Sequence, residues 1–159
     1  MPDGQGYALD HAGLADAVVQ MTHWHRPILI HAGEPVGHHY PGKSSSTLRP
    51  FYELAVRHPK ALLIAAHWGG GLIFYELMPE VHEALQNVYY DTAASLYLYQ
   101  DEIFAIGAQI APGRVLFATD FPLIDQRHFL RHVRGSGLSA QVLDDMLGNN
   151  AERLLSGAR

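Results

Sequence analysis

The chain has 159 residues, 48% of them apolar, no cysteine, and a formal charge of −5 with only eleven Lys plus Arg. That apolar content can build one core, the missing cysteines exclude disulfides and thiolate metal sites, and the charge leaves no basic face for nucleic acid or an anionic membrane. No apolar run approaches the roughly 20 residues of a membrane span, and the start Met1-Pro2-Asp3-Gly4 lacks the regions of a signal peptide, so a cytoplasmic protein is expected.

In chain order, Leu14, Val18 and Met21 predict an opening helix. A first apolar run, Pro27-Ile28-Leu29-Ile30, ends at His31. After a polar loop, Phe51, Leu54 and Ala55 form a helical stripe stopped by His58-Pro59. A second run, Ala61-Leu62-Leu63-Ile64-Ala65-Ala66, ends at His67. Both runs are continuous rather than alternating, as expected of strands covered on two faces. Phe74, Leu77, Met78, Val81 and Leu85 make a longer helical stripe, in which Pro79 predicts a kink or a late start. The third run, Asn87-Val88-Tyr89-Tyr90, ends at Asp91-Thr92. Ile103, Phe104, Gly107 and Ile110 make the next helix. The fourth run, Arg114-Val115-Leu116-Phe117-Ala118-Thr119, ends at Asp120. A segment near 128–133, a helix over 139–147 stopped by Gly148, and a terminal helix capped by Asn149 with Glu152 complete the chain.

The polar ends lie 24 to 36 residues apart, about one βαβ repeat. Strands alternating with helices imply a parallel sheet, and four strands fill about half of a (β/α)8 barrel. One domain over 1–159 is expected. In such folds the loops after the strand ends converge on one ligand-binding face. His31, His67, Asp91 and Asp120 would all point there, and two imidazoles with a carboxylate suit zinc, iron or manganese. Asp91 reads as a structural or substrate-orienting residue. The long loop at 32–43 offers His39, Tyr40 and Lys43 to a small polar or anionic substrate. Trp68-Gly69-Gly70-Gly71 lets the backbone approach a ligand, with Trp68 on the substrate wall. His23 and His25 copy an H-x-H pair but precede the first strand, at the end opposite His31.

The motifs His31-Ala32-Gly33-Glu34-Pro35-Val36-Gly37 with Tyr40-Pro41-Gly42-Lys43, Ala66-His67-Trp68-Gly69-Gly70, and Phe117-Ala118-Thr119-Asp120-Phe121-Pro122 resemble the amidohydrolase superfamily. The similarity is to the amidohydrolase-2 branch that includes aminocarboxymuconate-semialdehyde-decarboxylase-like enzymes. The ending Gly148-Asn149-Asn150-Ala151-Glu152-Arg153-Leu154-Leu155 resembles that group too. The resemblance implies an α/β fold equal to the second half of a TIM-like barrel, a divalent metal with zinc first and iron or manganese next, and a small-molecule substrate. It implies His31 as a metal ligand, His67 as the histidine that binds or polarises substrate, and Asp120 as both ligand and base. Hydrolysis of C–N or C–O bonds is the leading activity, decarboxylation of an unsaturated acid the second, and a non-catalytic half-barrel for assembly or binding the third. Family members also carry an H-x-H pair on a first strand that this sequence lacks. The bare edges of a four-stranded sheet then predict a homo-oligomer or a complementary half-barrel.

Overall fold

Each apolar run forms a strand, and in the computed structural model the four pair in chain order as one parallel sheet: β1 (Ile28–Ile30), β2 (Leu63–Ala65), β3 (Val88–Asp91) and β4 (Val115–Leu116). The structure describes residues 6–40, 43 and 47–157; residues 1–4 of the leader reading and Pro41 and Gly42 of the polar loop lie outside them. The register aligns Ile28, Leu63 and Val88, then Ile30, Ala65, Tyr90 and Val115 one pleat further on. Side chains alternate along a strand, so these residues share one face.

That face meets the helices. Val18 from Ala12–His23, Phe51, Leu54 and Ala55 from Leu48–Arg57, Phe104 from Glu102–Ile110, and Phe129 and Val133 from Gln126–Arg134 are all buried against it. Each large apolar side chain buried there contributes about 1.5–3 kcal/mol. The other face is less covered than the continuous runs suggested. Leu29 is 60% exposed, and Ile64 and Tyr89 are half-buried. The sheet is therefore closed on its helical side and open on its concave side.

The long stripe over 74–85 is two helices, Leu72–Tyr75 and Pro79–Ala84, with Pro79 in the first turn of the second. Proline suits that position because its missing N–H has no partner there anyway. Leu77 and Met78 fall between the helices and are exposed, while Val81 and Leu85 are buried.

The C-terminal segment also differs from the expectation. Ser139 caps its start by accepting from the Val142 N–H at 3.4 Å, but Gly148 does not stop it and Asn149 does not cap a new helix. The helix Ala140–Asp144 widens into a π turn over Asp145–Asn149 and continues as Asn150–Ser156. The Met146 carbonyl accepts from the Phe117 N–H at 3.0 Å, and the Asn150 side-chain amide donates to the Val115 carbonyl at 2.7 Å. Because Arg114 and Leu116 face β3, Val115 and Phe117 belong to the outer edge of β4. The chain's own C-terminal helix therefore covers an edge expected to be bare. The strand β4 is shorter than its apolar run because the Ala118 N–H donates to the Thr92 hydroxyl at 3.0 Å instead of continuing the ladder.

On the helical side lies a charge cluster centred on the buried Glu76 and Arg114. Glu76 accepts from the Tyr90 hydroxyl at 2.6 Å and from Arg114, which binds both carboxylate oxygens. Arg114 also donates to the carbonyls of Leu85 at 2.9 Å and Val88 at 2.8 Å, and the His82 ring lies 2.9 Å from Glu76. Burial, and next the neighbouring Glu76 charge, pushes the Tyr90 hydroxyl well above its usual value.

Candidate active site

His31 follows β1, His67 follows β2, Asp91 closes β3, and Asp120 stands beyond β4. All four line one cleft of ≈ 650 Å³ on the concave side.

His67 sits in an unusual backbone. His67, Trp68, Gly69, Gly70 and Gly71 have φ of 55, 57, 69, 60 and 91°, a left-handed turn in which non-glycine residues cost roughly 1–2 kcal/mol each. Glycine is required at position 70, because a Cβ there would lie 2.4 Å from the Gly33 carbonyl oxygen. The turn thus presses against the loop that follows His31. The His67 N–H donates to Asp91 Oδ1 at 2.8 Å, and the Trp68 indole N–H donates to Ser95 Oγ at 2.8 Å. These bonds offset the strain.

The His67 ring is engaged at both nitrogens. Nδ1 lies 3.0 Å from the Ala93 carbonyl, and Nε2 lies 3.2 Å from His31 Nδ1. A carbonyl can only accept, so Nδ1 carries the proton and, in the neutral ring, Nε2 accepts from His31 Nδ1–H. The lone pair of His31 is then on Nε2. Among the described residues, that atom is buried and has no hydrogen-bond partner. Burial, followed by the nearby His67, lowers the His31 pKa, which favours the neutral form that binds metals.

Asp91 is 3% exposed. Its Oδ1 accepts from the N–H groups of His67 and Ala93, at 2.8 and 3.1 Å. Burial pushes its carboxyl above the usual range, and these two bonds act against that push. Asp120 is exposed and has φ of 61°, a left-handed backbone that aspartate tolerates better than most residues.

The residues expected to contact substrate scatter. Tyr40 lines the cleft, and its hydroxyl donates to buried Glu34 at 2.9 Å. Burial and that hydrogen bond push it up to about 12. The Tyr99 hydroxyl donates to the other Glu34 oxygen at 3.4 Å. His38, not His39, reaches the cleft; His39 points to solvent. Lys43 spends its ammonium on the carbonyls of Val36 at 2.5 Å and His38 at 2.8 Å, tying the loop to itself. Trp68 is fully buried in the core against Phe104 rather than on the substrate wall. Its large ring fills the space that Gly107 leaves open, where a Cβ would come within 2.3 Å of it. His25 lines a separate cleft at the opposite end of the strands with Arg26 and Lys60. Glu34 and the amide-binding role of Asp91 were not read from the sequence; for Asp91 the available signal was an acid directly after an apolar run, and Glu34 had none.

His31 Nε2 fits a divalent metal in being an orphaned, buried nitrogen lone pair, and Asp120 is a carboxylate in the same cleft. Among the described residues, no group of three or more acidic or histidine side chains converges to hold an ion. No helix among them is long and apolar enough to cross a membrane.

The amidohydrolase family pattern matches residues 6–157. A comparison with curated proteins gives no match. Among solved structures, 5-carboxyvanillate decarboxylase LigW from Sphingomonas paucimobilis aligns with a TM-score of 0.73 at 15% identity, over 92% of this chain and 54% of that one. A dihydroxybenzoic acid decarboxylase from Polaromonas sp. JS666, with bound manganese and the inhibitor 2-nitroresorcinol, aligns at 0.72 and 15% identity, over 96% and 56%. A TIM-barrel protein from Bordetella bronchiseptica aligns at 0.70 and 16%, over 93% and 52%. The chain spans about half the length of the solved structures it matches. The four βα units are those of a TIM-like barrel, and the chain belongs to the amidohydrolase family.

Proposed function

We propose that this chain supplies the C-terminal half of a metal-dependent enzyme that acts on a small organic acid, and that the reaction is decarboxylation. The observation that carries the metal reading is the buried, partnerless Nε2 of His31 in the cleft that Asp120 also lines. His31 and Asp120 would hold the ion, and further strands, from the same polypeptide or a partner copy, would supply the remaining ligands. A divalent ion bound there would withdraw negative charge from the substrate's oxygens. Zinc suits these donors; manganese is the ion in the Polaromonas relative.

Decarboxylation is favoured by the apolar walls of the cleft, Leu29, Leu98, Ala118 and Leu123, which suit a planar hydrocarbon acid. The likeness to two decarboxylases supports the same reading. When the bond to the carboxyl group breaks, carbon dioxide leaves and the carbon must gain a proton. Asp120, a carboxylate exposed in the cleft, would relay to that carbon a proton drawn from a solvent water, which is left as hydroxide. Tyr40 would orient the substrate: its proton is committed to Glu34, so its oxygen offers lone pairs to a donor group.

Hydrolysis of a C–N or C–O bond is the second reading, favoured by the openness of Asp120 to solvent. There Asp120 would take the proton of the water that adds to the carbonyl carbon.

The test loads the purified protein with Zn²⁺ or Mn²⁺, removes excess ion and measures bound metal. Carbon dioxide release from 5-carboxyvanillate is then assayed beside hydrolysis of an anilide and a lactone. About one ion per chain, lost in His31→Ala, with carbon dioxide released, is the expected result. Hydrolysis without carbon dioxide transfers the conclusion to the second reading. No retained metal refutes the enzyme reading for this chain and favours a non-catalytic half-barrel.

A further inference from the structure

We propose that Asp91 is the positioning residue of this cleft: one carboxylate oxygen locks the His67 ring, and through it turns the free lone pair of His31 toward the ligand. The metal part of this inference rests on the reading above; the ring-locking part does not.

Oδ1 of Asp91 accepts two N–H bonds, from His67 at 2.8 Å and from Ala93 at 3.1 Å. His67 and Ala93 are also the two ends of another hydrogen bond, His67 Nδ1–H to the Ala93 carbonyl at 3.0 Å. A single oxygen therefore holds both partners of the bond that sets which nitrogen of His67 carries the proton. His67 needs such a hold, because its φ of 55° is disfavoured for a side-chain-bearing residue. With Nδ1–H fixed on Ala93, the Nε2 lone pair faces His31 Nδ1 at 3.2 Å and draws its proton. His31 is left with its lone pair on Nε2, the one buried polar side-chain atom without a partner among the described residues. In metal sites this orienting work on an imidazole is commonly done by a carboxylate or carbonyl acting directly. Here it passes through a second imidazole, and the carboxylate acts on the backbone of that imidazole. His67 is thereby turned toward His31, and its Nε2 has no proton to offer a substrate.

The test reads the tautomers directly, by long-range ¹H–¹⁵N correlation on the imidazole rings of the whole protein near pH 8. The expected wild-type result is Nδ1–H for both His67 and His31. In Asp91→Ala both rings should shift toward Nε2–H, whereas Asp91→Asn, which keeps an acceptor oxygen, should restore the wild-type pattern. A merely structural role for Asp91 would change stability without moving the tautomers. Zn²⁺ titration of the same proteins should show affinity lower by about 10- to 100-fold in Asp91→Ala and near wild type in Asp91→Asn. Wild-type protein with Nε2–H at either ring overturns the proposal even if Asp91→Ala fails to fold, and so do unchanged tautomers in a folded Asp91→Ala. If the tautomers behave as expected and the wild type binds no Zn²⁺, the ring-locking inference stands and the metal reading falls.

Discussion

The two faces of the sheet carry two polar clusters that treat their hydrogen bonds in opposite ways. On the helical side, Glu76, Arg114 and Tyr90 are buried, and each has its charge or hydroxyl answered by another member or by a carbonyl. On the concave side, His67 and Asp91 are equally well anchored, but the chain of bonds stops at His31 Nε2. A buried unpaired polar group costs about 1–3 kcal/mol. A closed cluster therefore serves the fold, and a cluster with one open end marks where something else is meant to bind.

The sharpest way to break this comparison is to remove one member from each side. Glu76→Ala strands the Arg114 charge in the core and should cost about 3–5 kcal/mol in urea unfolding; a cost under 1 kcal/mol would mean the cluster is not the structural anchor described. Gly70→Ala should come next, at about 1–3 kcal/mol from the clash with Gly33 and the left-handed backbone. Its melting temperature should fall together with metal retention, because the turn pushes on the loop after His31. His31→Leu should be close to neutral, within about 1 kcal/mol, since the orphaned lone pair it deletes is offset by the His67 Nε2 it leaves without a donor, while bound metal in elemental analysis falls to background. Destabilisation well beyond the loss of the His67 bond, about 3 kcal/mol or more, would show that Nε2 has a partner in solution. The smallest effect on stability belongs to Asp120→Asn, within about 0.5 kcal/mol because the side chain is exposed. That variant should nevertheless lose turnover, measured as carbon dioxide release.

The contrast also explains what could be read in advance. The Glu76–Arg114 pair joins residues 38 apart, and neither stands in a motif; nothing in a periodic pattern reports that two distant charges share a pocket. His31, His67 and Asp120 were legible because each ends an apolar run and precedes a turn. Their neighbours were not. Trp68 follows His67 directly, yet the left-handed turn sends it into the core, and His38 lines the cleft where His39 was expected to. The helix that starts at Ser139 was legible, and its π turn over Asp145–Asn149 was not, because there the carbonyl of Met146 accepts from the N–H of Phe117, a residue just past β4 and far away in the chain.

By itself the sequence determined the alternation of four apolar runs with helical stripes, and with it a parallel sheet whose strand ends carry two histidines and two aspartates. Burial of apolar surface and the pleat of a strand are local enough to be written into residue order. Only the tertiary structure decided which nitrogen of His31 is free, which face of the sheet stays open, and that the C-terminal helix covers the edge of β4. Those outcomes depend on hydrogen bonds between residues far apart in the chain, made only once the strands stand side by side.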